Sequence, residues 1–159
     1  MLIETDKRGQ KLTLAYSEEP FSVPKNLYLI GTMNTADRSL SLVDYALRRR
    51  FAFLTLDPGF NEKAFANHLA MHGLIPAQIA HIIHLMEALN LAIEKDEANL
   101  GKGYRIGHSF FTPITQVTDF RKWFQSIVRY EIMPLLEEYW IDDPKTVQQF
   151  RDTLNEDIH

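Results

Sequence analysis

Asn34, Thr35 and Asp37 offer the first chemistry in this sequence, because they lie just past an apolar run, Leu27-Tyr28-Leu29-Ile30. An asparagine amide can orient a water and touch a phosphate, and an aspartate can take a proton or hold that amide in place. The same residue types also favour turns and helix N-caps, so a plain capped turn is the competing reading. A second constellation is Arg48, Arg49 and Arg50. Successive helical residues sit about 100° apart, so the three cannot share one face. Cations suit the negative end of a helix dipole, which accounts for at least one of them. The functional alternative is a guanidinium offered to a phosphate held by a neighbouring subunit.

The string Gly101-Lys102-Gly103-Tyr104-Arg105-Ile106-Gly107-His108-Ser109 has phosphate-loop ingredients. It is not a P-loop, which requires G-x-x-x-x-G-K-[ST], and composition alone reads it as a glycine-rich turn. His68 with His72, and His81 with His84, fall at helical spacings. The carboxylate and third ligand of a zinc motif are missing, so no metal site is expected and these read as solvated helix histidines. Trp123, Phe124, Tyr130, Tyr139 and Trp140 follow helical spacing with Ile and Leu, which points to core or interface before base stacking.

These residues need elements to position them. Leu27–Ile30 reads as a buried strand, Leu40–Leu47 as a short amphipathic helix and Phe51–Leu56 as a second strand, together a βαβ unit. Ligands of open α/β sheets sit beyond the carboxyl ends of strands, where Asn34, Thr35 and Asp37 fall. Lys11–Tyr16 alternates as a half-exposed strand, and Ser17–Lys25, with Pro20 and Pro24, reads as a loop. Helices are expected from Asn61 as N-cap to a stop at Gly73, and from Pro76 through Ile79, Ile82, Ile83, Met86, Leu89 and Ile93. A third runs from Asp119 to Tyr139, kinked or split by Pro134, and a fourth from Lys145 to Asn155. Two strands make too small a parallel sheet to stand alone, so the sequence suggests a fragment or a domain finished by another chain.

Composition narrows the class. The chain has 159 residues, 45% apolar and 24% charged, with a net charge of −4, in keeping with a globular domain and weakly against a surface wholly devoted to nucleic acid. It has no cysteine, which fits a cytoplasmic setting and excludes thiolate metal sites. No apolar run reaches membrane-spanning length, and the start lacks the pattern of a signal peptide.

Three strings resemble the AAA+ motor domain of the McrB family of GTP-hydrolysing restriction subunits: Met33–Ser39 (MNTADRS), Val43–Phe51 (VDYALRRRF) and Leu100–Phe111 (LGKGYRIGHSFF). The similarity extends through Asp57–Phe60 and Pro134–Trp140 and covers essentially the whole chain. It implies an α/β fragment, the C-terminal part of the AAA+ core over 1–60, followed by an α-helical lid over 61–159. It places Asn34 as sensor 1, with Asp37 in the same signature, and Thr35 beside the nucleotide. Arg49 and Arg50 stand where arginine fingers occur, Arg38 reads as a structural ion pair, and Arg105, His108 and Ser109 as nucleotide-sensing residues of the lid. Walker A and Walker B are not in the chain, and the resemblance places both upstream of Met1. GTP and Mg²⁺ are the implied cofactors of the parent. Its implied partners are a homo-oligomeric ring, a hexamer by analogy, a McrC-type nuclease, and modified-cytosine DNA reached through a domain absent here. A stand-alone interaction module that kept the lid, or an AAA+ ATPase of another type, are the alternatives.

Overall fold

The computed structural model describes residues 2–33 and 48–155. The chain divides into two compact units, Met1–Thr55 and Leu56–His159.

In the first unit a single 3₁₀ turn, Thr5–Lys7, precedes a small hairpin. Its strands, β1 (Leu12–Thr13) and β2 (Pro20–Phe21), pair antiparallel with Leu12 opposite Phe21. β2 lies in the stretch expected as a loop. Pro20 is tolerated there because a two-stranded ribbon is all edge, and an edge position does not need its missing N–H. Gly9 N–H donates to the Val23 carbonyl at 2.8 Å, and Val23 is the buried residue among those described in this unit.

The expected strands at Leu27–Ile30 and Phe51–Leu56 are not strands among the described residues. Tyr28 and Ile30 are 81% and 94% exposed, and Leu54 is 86% exposed. The reason is physical: a strand buried on both faces is created by its neighbours, through ladder hydrogen bonds and covering helices. The helix expected at Leu40–Leu47 lies outside the described residues, as do Asn34, Thr35, Asp37 and Arg38.

The second unit is helical. α1 (Lys63–Met71) ends at Gly73, whose φ of +96° is the left-handed turn a glycine takes without strain. Leu74 N–H returns to the Leu69 carbonyl at 3.2 Å, closing a Schellman cap as expected. The N-cap, however, is Glu62 and not Asn61; the Asn61 amide donates instead to Glu87 on the next helix. α2 (Pro76–Lys95) starts with Pro76 at its first position, and Ile75 N–H is taken by the Gln78 side chain at 3.1 Å. Ile79, Ile82, Met86, Leu89 and Ile93 are buried as the spacing demands, with Ile83 at the margin.

α3 (Phe120–Ile127) is capped by Asp119, whose carboxylate accepts from Lys122 N–H at 3.0 Å. One wide π turn (Val128–Ile132) then joins it to α4 (Met133–Tyr139). The split expected at Pro134 is real, and its form follows from the ring: Pro134 lacks an N–H and collides with the carbonyl four residues back unless the preceding turn widens. α5 (Pro144–Asn155) follows, its start fixed by Asp143, which accepts from Thr146 Oγ1 at 2.7 Å.

The core brings Phe65 and Leu69 of α1 and the α2 stripe together with Phe111, Phe120, Phe124, Ile132 and Leu136. Phe111 and Phe124 are fully enclosed, 5.7 Å apart between ring centres. Losing either ring would remove roughly 3–5 kcal/mol. Trp140 stacks on Phe150 and donates its indole N–H to Asp96 at 2.9 Å. The aromatic residues of α3 to α4 are therefore mainly core, with Tyr130 the exposed member.

Candidate functional site

In the second unit the glycine-rich string folds onto the Asp57–Phe60 turn. Lys102–Tyr104 and His108–Phe111 form two 3₁₀ turns around Arg105-Ile106-Gly107. Arg105 ion-pairs with the Asp57 carboxylate, lies 3.9 Å from Glu94 of α2, and donates its Nε to the Lys102 carbonyl at 3.1 Å. Lys102 reaches Glu94 at 3.3 Å. His108 Nδ1 accepts the Gly59 N–H at 2.9 Å, which requires that nitrogen to be unprotonated. The His108 ring meets Phe60 and Phe65 edge-on, with centroids 6.2 and 5.8 Å away. Ser109 is exposed, and its carbonyl accepts from Thr112 Oγ1 at 2.7 Å.

One buried amide anchors this loop. Asn90 is 8% exposed in the apolar stripe of α2. Its Nδ2 donates to the Ile106 carbonyl at 2.9 Å, and its Oδ1 accepts the Ile106 N–H at 2.6 Å. Both backbone polar groups of the buried Ile106 are thereby satisfied by one side chain. Sequence reasoning overlooks Asn90, Glu94 and Asp57 as partners of the loop. The available signal is an asparagine where helical spacing calls for an aliphatic residue.

The histidines depart from the expectation of solvated positions. His68, His72 and His81 are half-buried, and only His84 is exposed. His68 Nε2 donates to the Pro113 carbonyl and His72 Nδ1 to the His68 carbonyl, both at 2.8 Å. The ring of His81 packs edge-on against Phe124 at 5.7 Å, and its buried Nε2 has no hydrogen-bond partner among the described residues. Burial, aided by His84, pushes its pKa below 6.5.

In the first unit, Arg48 and Arg49 are exposed and Arg50 is half-buried. Arg50 Nε donates to Glu4 at 2.6 Å, and Lys7 Nζ donates to the same carboxylate at 2.5 Å. With Lys7 and then Arg50 bound to it, Glu4 is held at about 2, against an ordinary 4.5. The described structure thus gathers Arg105, His108 and Ser109 on one loop. Arg49 and Arg50 lie in the other unit, while Asn34, Thr35 and Asp37 fall outside the described residues. Among the described residues, no helix is long and apolar enough to cross a membrane.

Comparison with known proteins agrees with this helical body. Residues 81–148 match the family described as McrB, alpha-helical lid domain. The chain is 46% identical over 167 aligned positions to the Type IV methyl-directed restriction enzyme EcoKMcrB subunit of Escherichia coli (strain K12), an alignment covering 97% of this chain. It spans 35% of that relative's length. By the matched lid and by this identity along almost all its residues, the chain belongs to the McrB family, in the region that carries the helical lid.

Proposed function

We propose that this chain works as the C-terminal part of a McrB-like AAA+ motor that hydrolyses GTP and, with a McrC-type nuclease, drives restriction of modified-cytosine DNA. The observation that carries the reading is the lid itself: a helical body matched to McrB over 81–148, with the Asp57–Phe60 turn and the glycine-rich loop locked to each other on it. The α/β core, the ring and the nuclease partner belong to the proposal.

In this proposal Asn34 orients the attacking water and Asp37 fixes Asn34, while Thr35 lines the phosphate side. Arg49 and Arg50 serve the site of the neighbouring subunit. Arg105, His108 and Ser109 report on the nucleotide from the lid. Two of these three already have internal partners: Arg105 is engaged by Asp57 and Glu94, and His108 Nδ1 by Gly59. A nucleotide that reaches them must therefore first displace those contacts. Ser109 is the exposed one of the three. No Walker A pattern occurs in these residues. GTP with Mg²⁺ would supply the transferable phosphoryl group and its charge neutralisation, held by the remainder of the parent.

The test uses a parent protein that carries the P-loop. Asn34→Ala should lower kcat about a hundredfold while GTP affinity changes little, because an oriented polar group acts mainly in the transition state. Equal losses in binding and turnover would make Asn34 a structural cap.

A further inference from the structure

A surface cleft of about 420 Å³ opens between α3, the π turn and α5, well away in sequence from the glycine-rich loop. It is lined by Gln125, Val128, Arg129, Met133, Arg151 and Asn155. Its floor is apolar, since Val128 and Met133 are buried. Its rim is rich in donors. Arg129 is exposed and lies over the Tyr130 ring, 5.4 Å from the centroid, with no ion pair among the described residues. Gln125 likewise has no side-chain hydrogen bond among the described residues. Arg151 binds Glu137 at 2.5 Å through one nitrogen, which leaves further guanidinium N–H groups over. Asn155 directs its Nδ2 to the Arg151 carbonyl at 2.7 Å. The π turn supplies both Val128 and Arg129, and such widened turns recur at functional sites.

We propose that this cleft docks an acidic peptide segment of a partner protein, with a carboxylate on Arg129, Arg151 and Gln125 and an adjacent apolar side chain over Val128 and Met133. The charge pattern selects the occupant. Two guanidiniums and an open amide complement an isolated carboxylate. A nucleic-acid backbone needs a continuous basic track, which two arginines interrupted by the exposed Glu131, Glu137 and Glu138 do not make, whereas a single carboxylate needs only the arginine pair itself. An apolar floor beneath a charged rim is the make-up of a peptide-recognition site.

The probe is a blocked hexapeptide of alternating leucine and glutamate, titrated into the isotope-labelled 159-residue chain. We expect the side-chain amide signals of Gln125 and Asn155, the Arg129 Nε–H and the Met133 methyl to move together, with Kd on the order of 1 mM. Replacing the glutamates of the probe by glutamine should weaken binding about tenfold, as should Arg129→Ala in the protein. Arg129 is exposed, so its removal leaves the core untouched; Gln125→Ala provides a second reading should that variant fail to fold. The proposal is overturned if these signals stay fixed, or if the glutamine peptide binds equally well. It also falls if the folded variants bind unchanged, or if a single-stranded oligonucleotide moves the same signals more strongly than the peptide does.

Discussion

The Asn90 side chain closes a two-bond ring on the backbone of Ile106, accepting its N–H at 2.6 Å and donating to its carbonyl at 2.9 Å. The amide acts as a one-residue piece of β-ladder, tying the loop to α2 without any strand. Ile106 itself is 1% exposed, so its peptide has no water to turn to.

Asn90→Ala should therefore destabilise the fold by roughly 2–4 kcal/mol, the loss of two hydrogen bonds that leaves a buried donor and acceptor unmet. Asn90→Asp should be no rescue, because a carboxylate cannot donate to the Ile106 carbonyl. Urea unfolding gives the free energies, and hydrogen exchange at the Ile106 amide reports the loop directly. An unchanged midpoint for both variants would show that the loop is held from elsewhere.

Gly73→Ala should cost about 1–3 kcal/mol. The backbone there has φ of +96°, and an added Cβ would meet Gln116 Oε1 at 3.0 Å and the Val117 carbonyl at 3.3 Å. The neighbouring segment is fastened to the end of α1 through Val117 N–H on the His72 carbonyl at 2.9 Å, so it cannot simply retreat. Thermal unfolding of the variant is the measurement; a gain in stability would contradict the strained turn.

His81 should make the fold acid-sensitive in a defined direction. Its pKa is lowered from 6.5 by burial and by His84, so the unfolded chain binds the proton more readily than the folded one. Stability is then fully present above pH 6.5 and declines as pH falls from there to the lower folded value. His81→Leu should flatten that part of the stability-against-pH curve, while His84→Leu should leave most of it. The slope of unfolding free energy between neutral and mildly acidic pH decides; identical slopes in wild type and His81→Leu would remove His81 as the cause.

If the proposed ring-forming motor is right, Arg50 should act on the site of the neighbouring subunit. Mixing Arg50→Ala protein with a P-loop lysine mutant should restore GTP hydrolysis, because some interfaces then join an intact pocket to an intact arginine, whose effect in such fingers is roughly 10³ to 10⁵ in rate. Arg50→Lys should not substitute, lacking the planar fork. Glu4 gives the rival outcome a structure: if mixed rings form and stay inactive, the pair at 2.6 Å is what Arg50 is for.

The helical unit is largely legible in the sequence because its signals are local. Pro76, Gly73 and Asp119 mark boundaries by their own backbone chemistry, and the α2 stripe follows from spacing. The apolar runs at Leu27–Ile30 and Phe51–Leu56 mislead for the converse reason. Hydrophobicity says that a segment is to be covered, not that the cover belongs to the same chain, and Ile30 and Leu54 stand exposed. At the site, the composition of the glycine-rich string suggests a turn, and a turn it is. That Arg105 and His108 meet Asp57 and Gly59, nearly fifty residues earlier, is a tertiary fact with no periodic trace. Asn90 is hidden by its surroundings, since an asparagine among aliphatic residues looks like noise until its partner is seen.

The widened turn at Val128–Ile132 has a consequence for chain length. On an uninterrupted α-helix Leu136 would lie about 160° around the axis from Phe120, on the wet side. Both residues are buried, so the turn must absorb one residue's worth of rotation, which brings the separation to about 60°. In effect the helix carries a one-residue insertion that has been swallowed without shifting the phase of either half. A chain one residue shorter within 128–132 would keep both halves in phase on the same core face, but would then have to relieve the Pro134 clash by a kink. The same deletion inside α2 would swing Leu89 and Ile93 out of step with Ile79 and Ile82 by about 100°.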